Sequence, residues 1–347
     1  MVEWEFKKLN PNSVTFARLD GELEKLKADY TKVLRMALES KVSSPSFSKY
    51  PVRGSLGTPD SHKMFAGNIE YGFCQALHME EAAVASFRSI YKRPGRQRAI
   101  LGIVAGNPEI FTGPCGNCRD ILLDEFNPNL EIVSGSPTGG TAIVSTLGDF
   151  LFDRFKKIPR QNALTLAPDG FITKVWDTLR EGERLTFDGC SPDNIHPERR
   201  YYASISTKRN IYFGGLDLMC DDHPIYPLRD AIRSARRTHD ADINYVIVLG
   251  KNPSNNPPHV MYKDRQHLFE LNCQQEMLLG RQQNPKVYLV SQKERGGIGN
   301  VWQTSVKEWL PCPFSARNFG DEFVKNLTQY YQNKNNSKPP QLFWRIN

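Results

Sequence analysis

Two short stretches of this 347-residue chain constrain its fold more than any others: His78-Met79-Glu80 and Pro114-Cys115-Gly116-Asn117-Cys118. Each begins a predicted helix. The first runs from about Leu77 to Ile90 and ends before Pro94-Gly95. The second opens at Gly113-Pro114 and carries Ile121, Leu122, Leu123 and Phe126 on one side. Between them, Ile100–Ala105 is a short continuous apolar run, the pattern of a buried strand. Cys115 and Cys118, three residues apart at a helix start, point their sulfurs at one centre, and the helix N-terminus favours thiolates there. His78 arrives from the first turn of the other helix with a neutral imidazole.

This order of residues resembles the H-x-E … P-C-x-x-C signature of zinc deaminases. Three protein ligands leave the fourth tetrahedral position open for water, as in a catalytic site, and zinc lowers the pKa of such a water to about 7. Glu80, two residues past the ligand, can reach the water without ligating the metal. It would take the water's proton, deliver it to a ring nitrogen and later help protonate departing ammonia. A closed structural knuckle is the competing reading, and it needs a fourth ligand. Cys74 is the nearby candidate, and it also reads as a small buried hydrophobe.

Seven cysteines, an odd number scattered along a long chain, make a poor disulfide framework and favour metal binding or catalysis in a reducing compartment. No apolar run approaches the roughly 20 residues of a membrane span, and MVEWEFKKLN has no secretory apolar core. The expected compartment is the cytoplasm, with no membrane partner. A net charge of +7 allows a polyanionic partner without demanding one. The basic stretches Lys92–Arg98, Arg199-Arg200 and Arg233–Arg237 read as solvated faces, since aromatic residues are not interleaved with them.

Strands alternate with helices, which argues for an α/β domain. Residues 1–12 read as a loose start. An amphipathic helix follows over Val14–Leu38, then strands at Val52–Leu56 and Met64–Ile69 around a turn at Pro59-Asp60-Ser61. After the two motif helices come strands at Leu130–Val133 and Ala142–Ser145 and a helix at Leu147–Phe155. Residues 157–200 read as a linker containing one helical stretch, Phe171–Leu179. A similar order of elements then recurs. Ile211–Phe213, Pro227–Arg236, Tyr245–Leu249, Leu271–Leu279 and Val287–Val290 take the places of a strand, the His78 helix, the buried strand, the Cys118 helix and a closing strand. The chain reads as a diverged tandem repeat. The expected domains are a catalytic zinc-binding domain at 1–156, the linker, a degenerate non-catalytic copy at 201–320 and a C-terminal tail at 321–347.

With these residues in hand, the chain resembles the cytidine deaminase family, above all its two-domain members with a His-Cys-Cys zinc site. Gly67-Asn68-Ile69-Glu70 looks like the family's G-N-x-E segment, whose Asn and Glu hold the ribose 3′-hydroxyl. Ser48-Lys49-Tyr50-Pro51-Val52 resembles the segment whose aromatic residue packs on the pyrimidine, so Tyr50 takes that role. Cys118-Arg119-Asp120 departs from the family's C-R-Q at Asp120. Met79 replaces a small residue, Glu81 follows Glu80, and Arg53 stands where the family has Gly. In the second half, Val287–Val290, Val301–Thr304 and Glu308–Phe314 resemble the closing segments. There Asn272-Cys273-Gln274-Gln275 matches Asn117–Asp120, which sets Glu270 in the place of Cys115.

The resemblance implies a three-layer α/β/α cytidine deaminase-like domain in tandem with a degenerate copy. It implies Zn2+ held by His78, Cys115 and Cys118, with Glu80 catalytic and Asn68, Glu70 and Tyr50 on the substrate. The reaction would convert cytidine or deoxycytidine to the uridine nucleoside and ammonia, in a homodimer. The alternatives are a modified pyrimidine nucleoside or nucleotide as substrate, or a zinc-containing deaminase or binding protein acting on RNA or single-stranded DNA. A carboxylate at Glu70 facing a 3′-oxygen accepts from a hydroxyl and repels a phosphate, which favours a free nucleoside.

Overall fold

The computed structural model describes residues 2–9, 23–40, 50–58, 63–72, 75–90, 98–105, 112–151, 167–186, 201–216, 225–238, 242–251, 257–293 and 297–310, with a few isolated positions besides. The expected turn at Pro59–Ser61, Cys74, the stretch 92–97, Arg199-Arg200, the segment 311–314 and all but one residue of the tail lie outside these. The chain divides into two units, whose described residues run from Val2 to Leu151 and from Ala167 to Leu310.

The first unit contains β1 (Trp4–Lys8), α1 (Leu23–Glu39), β2 (Val52–Gly57), β3 (Lys63–Gly67), β4 (Ile69–Gly72), β5 (Gln75–Leu77), α2 (Met79–Ile90), β6 (Ile100–Ala105), α3 (Gly116–Glu125), β7 (Glu131–Gly135) and β8 (Gly140–Thr146). Its main sheet has the order β1-β8-β7-β6-β2-β3, with β6/β7 and β1/β8 parallel and the other pairs antiparallel. Successive side chains of a strand face opposite sides, and β2 shows what covers each side. The Ser55 hydroxyl donates to the Val33 carbonyl of α1 at 2.7 Å, while the adjacent Gly54 faces Met79 of α2. Helices therefore cover both faces, in three α/β/α layers. Tyr30, Val33, Leu34 and Ala37 of α1 meet Ile100, Val104, Val133 and Val144 in one core.

The N-terminal residues correct the expectation of a loose start. Trp4–Lys8 is an edge strand parallel to β8. Trp4 and Phe6 face inward: the Trp4 indole donates to the Ser136 carbonyl at 3.0 Å, and the Phe6 ring lies 5.9 Å from that of Tyr30. Two apolar positions carry too little periodicity to announce a strand, and β8 supplies the missing hydrogen bonds.

The second unit contains α4 (Phe171–Leu185), β9 (Tyr201–Thr207), β10 (Ile211–Gly214), α5 (Pro227–Arg237), β11 (Ile243–Lys251), α6 (Tyr262–Leu279), β12 (Lys286–Gln292), β13 (Ile298–Ser305) and α7 (Val306–Trp309). Its sheet order, β10-β9-β11-β12-β13, repeats β3-β2-β6-β7-β8 strand for strand, with β11/β12 as the parallel pair. The α/β/α unit is thus present twice. α4 falls within the stretch read as linker, yet Phe171 and Val175 are buried against Tyr245, Ile247, Leu249, Tyr288 and Val290. Its Thr178 hydroxyl also lies 2.7 Å from that of Ser204 on β9. Helix α6 begins at Tyr262 rather than Leu271, which shifts the register of the repeat. Among the described residues, no helix is long and apolar enough to cross a membrane.

Candidate metal centre

Both motif stretches sit at helix N-termini. The His78 carbonyl accepts from Ala82 N–H at 3.0 Å, making His78 the N-cap of α2, and the Cys115 carbonyl accepts from Arg119 N–H at 3.0 Å, making Cys115 the N-cap of α3. Cys118 is the third residue of α3. Parallel pairing of β6 with β7 requires a crossover, and α3 supplies it. The loops entering α2 and α3 thereby bring three donors to one point. His78 Nδ1 lies 3.3 Å from each sulfur, and the sulfurs are 3.5 Å apart. A tetrahedral zinc with Zn–S near 2.3 Å and Zn–N near 2.0–2.1 Å spans donor edges of roughly 3.5–3.8 Å. The triangle therefore fits such an ion with small adjustments. Among the described residues this is the one group of His, Cys and carboxylate donors close enough to share a metal.

Without a metal the trio shares its protons: burial raises the Cys118 thiol well above the ordinary range, so binding an ion would displace protons from Cys118 and His78. Hydrogen bonding from the Cys118 thiol, reinforced by His78, holds Cys115 well below the ordinary thiol range against the opposing effect of burial. The bond to Cys115 holds His78 up, to about 9. Glu80 is buried on the first turn of α2. Its burial, then the negative charge of Cys115, pushes the carboxyl up to about 7. A carboxyl titrating near neutrality can both take and return a proton at that pH.

Glu81 was marked in the sequence only as a departure, and the structure gives it two partners. Its Oε2 accepts the His78 backbone N–H at 2.8 Å, which is the N3-to-N-cap half of a capping box. Its Oε1 accepts from the Asn117 side chain. The sequence signal was weak because His78 is not a Ser or Thr N-cap.

The β4–β5 hairpin pairs Ile69 with Leu77 and Glu70 with Ala76, so the Asn68–Glu70 segment runs beside the strand leading into His78. Asn68 is largely committed to the chain itself. Its Oδ1 accepts from Val52 N–H at 2.9 Å and from the Ser43 hydroxyl at 2.6 Å, and its Nδ2 donates to the Tyr50 carbonyl at 2.9 Å. These bonds leave one amide N–H for a ligand. Tyr50 is buried, with its hydroxyl 3.0 Å from that of Thr112, just before Pro114.

Two other departures have packing explanations. Met79 is fully buried, and its Sδ occupies the space in which a Cβ on Gly54 would lie, 1.9 Å away. The Arg53 guanidinium donates to the Leu38 carbonyl at the end of α1 at 3.4 Å. The Met79–Gly54 fit predicts that Gly54→Ala costs about 1–3 kcal/mol by overpacking. Met79→Ala should cost about 2–5 kcal/mol by leaving a cavity. Gly54→Ala should cost less in the Met79→Ala background than alone, as read from urea midpoints.

Among its described residues the second unit has no counterpart of the donor trio, and its register differs from the sequence expectation. Arg119 Nε donates to Pro114 O at 2.8 Å and its NH1 to Phe150 O at 3.1 Å. Arg265 repeats this, with Nε to Val260 O at 3.0 Å and NH1 to Trp309 O at 3.4 Å. Arg265, not Gln274, therefore corresponds to Arg119. Met261, the N-cap of α6, stands for Cys115 and Asp264 for Cys118, correcting the placement of Glu270 and Asn272–Gln275. Tyr226, the N-cap of α5, stands for His78. The fully buried Asp264 takes the Arg229 guanidinium on Oδ1, at 2.8 Å from Nε and 2.6 Å from NH2, and the Tyr201 hydroxyl on Oδ2 at 3.2 Å. A tethered cation thus binds the residue that corresponds to the ligand Cys118.

Fold and site together define the class: a duplicated, layered α/β/α chain with, among the described residues, one His-Cys-Cys centre. No protein-family model matches it, and no curated protein matches it. Part of the chain is similar to solved cytidine deaminases. The enzyme from Burkholderia pseudomallei is 25% identical, covering 36% of this chain and 98% of its own, with a TM-score of 0.32. Those from Mycobacterium leprae and Mycobacterium tuberculosis are each 23% identical, covering 35% and 37% of this chain and 97% and 98% of their own. Their TM-scores are 0.28 and 0.29.

Proposed function

We propose that the chain is a zinc-dependent hydrolytic deaminase that converts cytidine or deoxycytidine to the uridine nucleoside and ammonia. The observation that carries this reading is the convergence of His78 Nδ1, Cys115 Sγ and Cys118 Sγ beside the buried Glu80 carboxyl. These three donors would hold the ion, which when bound lowers the pKa of water to about 7. Glu80 takes a proton from the attacking water and gives it to the pyrimidine N3. It then assists proton delivery to the exocyclic nitrogen as the new C4–O bond replaces C4–N.

The remaining Asn68 N–H and the Glu70 carboxylate would meet the ribose 3′-hydroxyl, and the ring of Tyr50 would face the base. A carboxylate at that place disfavours a 3′-phosphate, so the proposed substrate is a free nucleoside rather than a polynucleotide. The modified-base alternative rested on Met79 and Arg53, whose side chains are engaged in packing and in binding the end of α1. By resemblance, a homodimer is the proposed assembly, with the second unit as non-catalytic scaffold.

Purified protein should convert cytidine with loss of the cytidine absorbance, lose that activity on chelation and regain it with zinc. Cytidine 3′-phosphate should be a much poorer substrate. Silence across free pyrimidine nucleosides by zinc-loaded protein contradicts the proposal.

A further inference from the structure

We propose that Glu81 is a positioning residue for the metal centre, a single carboxylate that ties the two ligand-bearing helix starts together. The inference rests on the zinc reading above and goes beyond it, because neither the motif nor the proposed chemistry requires an acid at this position.

One carboxylate oxygen accepts the backbone N–H of His78 at 2.8 Å, and the other accepts from the side-chain amide of Asn117. Asn117 lies between the ligands Cys115 and Cys118. One side chain therefore reaches from the residue that carries the imidazole to the turn that carries both sulfurs. α2 and α3 are separated in the chain by β6, so their starts keep register through non-covalent contacts alone. Slippage between them would open the 3.3 Å edges of the donor triangle. Outer-shell partners of this kind typically change metal affinity 10- to 100-fold when lost.

The second unit supplies an independent observation. Counting three residues from the helix N-cap gives Glu81 after His78 and Arg229 after Tyr226. Arg229 also reaches across to the neighbouring helix start, binding Asp264 of α6. Both units thus cross-link the same pair of helix starts from the same position, with the charge reversed. In the second unit the link is itself an ion pair. In the first, a neutral donor at Asn117 lets the carboxylate brace the ligands without adding a competing cation.

The test uses the full chain and a pair of complementary substitutions. Glu81→Leu removes both acceptors, Asn117→Asp sets two carboxylates against each other, and Glu81→Gln alone lets Asn117 turn its amide to accept instead of donate. The double variant Glu81→Gln/Asn117→Asp restores one donor facing one acceptor, with the His78 N–H still accepted by the Gln oxygen. Zinc affinity, read by chelator competition, should fall about 10- to 100-fold in Glu81→Leu and in Asn117→Asp. It should stay within about threefold of the parent in Glu81→Gln and in the double variant, because the two sites are coupled. Unchanged zinc affinity in both Glu81→Leu and Asn117→Asp overturns the inference, even if the metal-free proteins melt earlier. So does a double variant as weak as Asn117→Asp alone. If the parent protein itself takes up no zinc, the reading of the site fails instead.

Discussion

Glu80→Gln should keep one zinc per chain and lose about 10²- to 10⁴-fold in turnover, the range that general acid–base catalysis supplies. The amide preserves the shape of a buried side chain but cannot accept and return a proton. The expected pattern is a collapse of kcat with a KM near that of the parent, since Glu80 acts on the reacting atoms rather than on the ribose. Metal content separates this outcome from damage to the centre. Full activity with zinc retained removes Glu80 from its role; loss of zinc makes it a structural support for the ligands instead. Glu80→Ala should behave alike in activity, with an added loss of stability from the space it leaves in a buried site.

The second large effect lies in the second unit. Among the described residues, Arg229→Met leaves the fully buried Asp264 carboxylate with the Tyr201 hydroxyl as its one hydrogen-bonding side chain. Removing one member of a buried ion pair costs about 3–5 kcal/mol, whereas replacing both with apolar residues of similar size is often neutral or stabilising. Arg229→Met should therefore destabilise the chain strongly, and Arg229→Met/Asp264→Leu should recover most of the loss. The single variant also carries a pH signature. Burial already raises the Asp264 carboxyl above its ordinary range against the opposing effect of Arg229; without its arginine it rises further, so the folded state binds the extra proton and stability falls more steeply as pH rises. The deficit should be larger at pH 8 than at pH 5 in urea titrations. A single variant as stable as the parent at both pH values contradicts the assignment of Arg229 as the charge partner of the buried Asp264.

Much of this architecture was legible because its signals are local. The continuous apolar run Ile100–Ala105 became the central strand β6. The donors at His78, Cys115 and Cys118 advertise themselves by residue type and spacing. The tandem repeat showed in the order of its elements. What stayed hidden depends on partners distant in the chain. β1 is a strand because β8 hydrogen-bonds to it. β9 lies between β10 and β11, and its residues 201–207 were given no element in the sequence reading. The register of α6 was misplaced because Asn272-Cys273 imitates Asn117-Cys118, whereas the counterpart of Cys118 is Asp264, bound to Arg229. Only the matching carbonyl bonds of Arg119 and Arg265 reveal it. Likewise, Asn68 reads as a ribose ligand in sequence, and its three bonds to the 43–52 region emerge only when β2 and the hairpin are brought together.

The roles given to Glu80 and Glu81 depend on an open three-ligand zinc centre, and zinc X-ray absorption on the purified protein tests that claim most directly. The account predicts one zinc per chain, bound by two sulfurs near 2.3 Å, one imidazole nitrogen and one light-atom ligand that the protein does not supply. No zinc, or a closed shell containing a third sulfur, would contradict it.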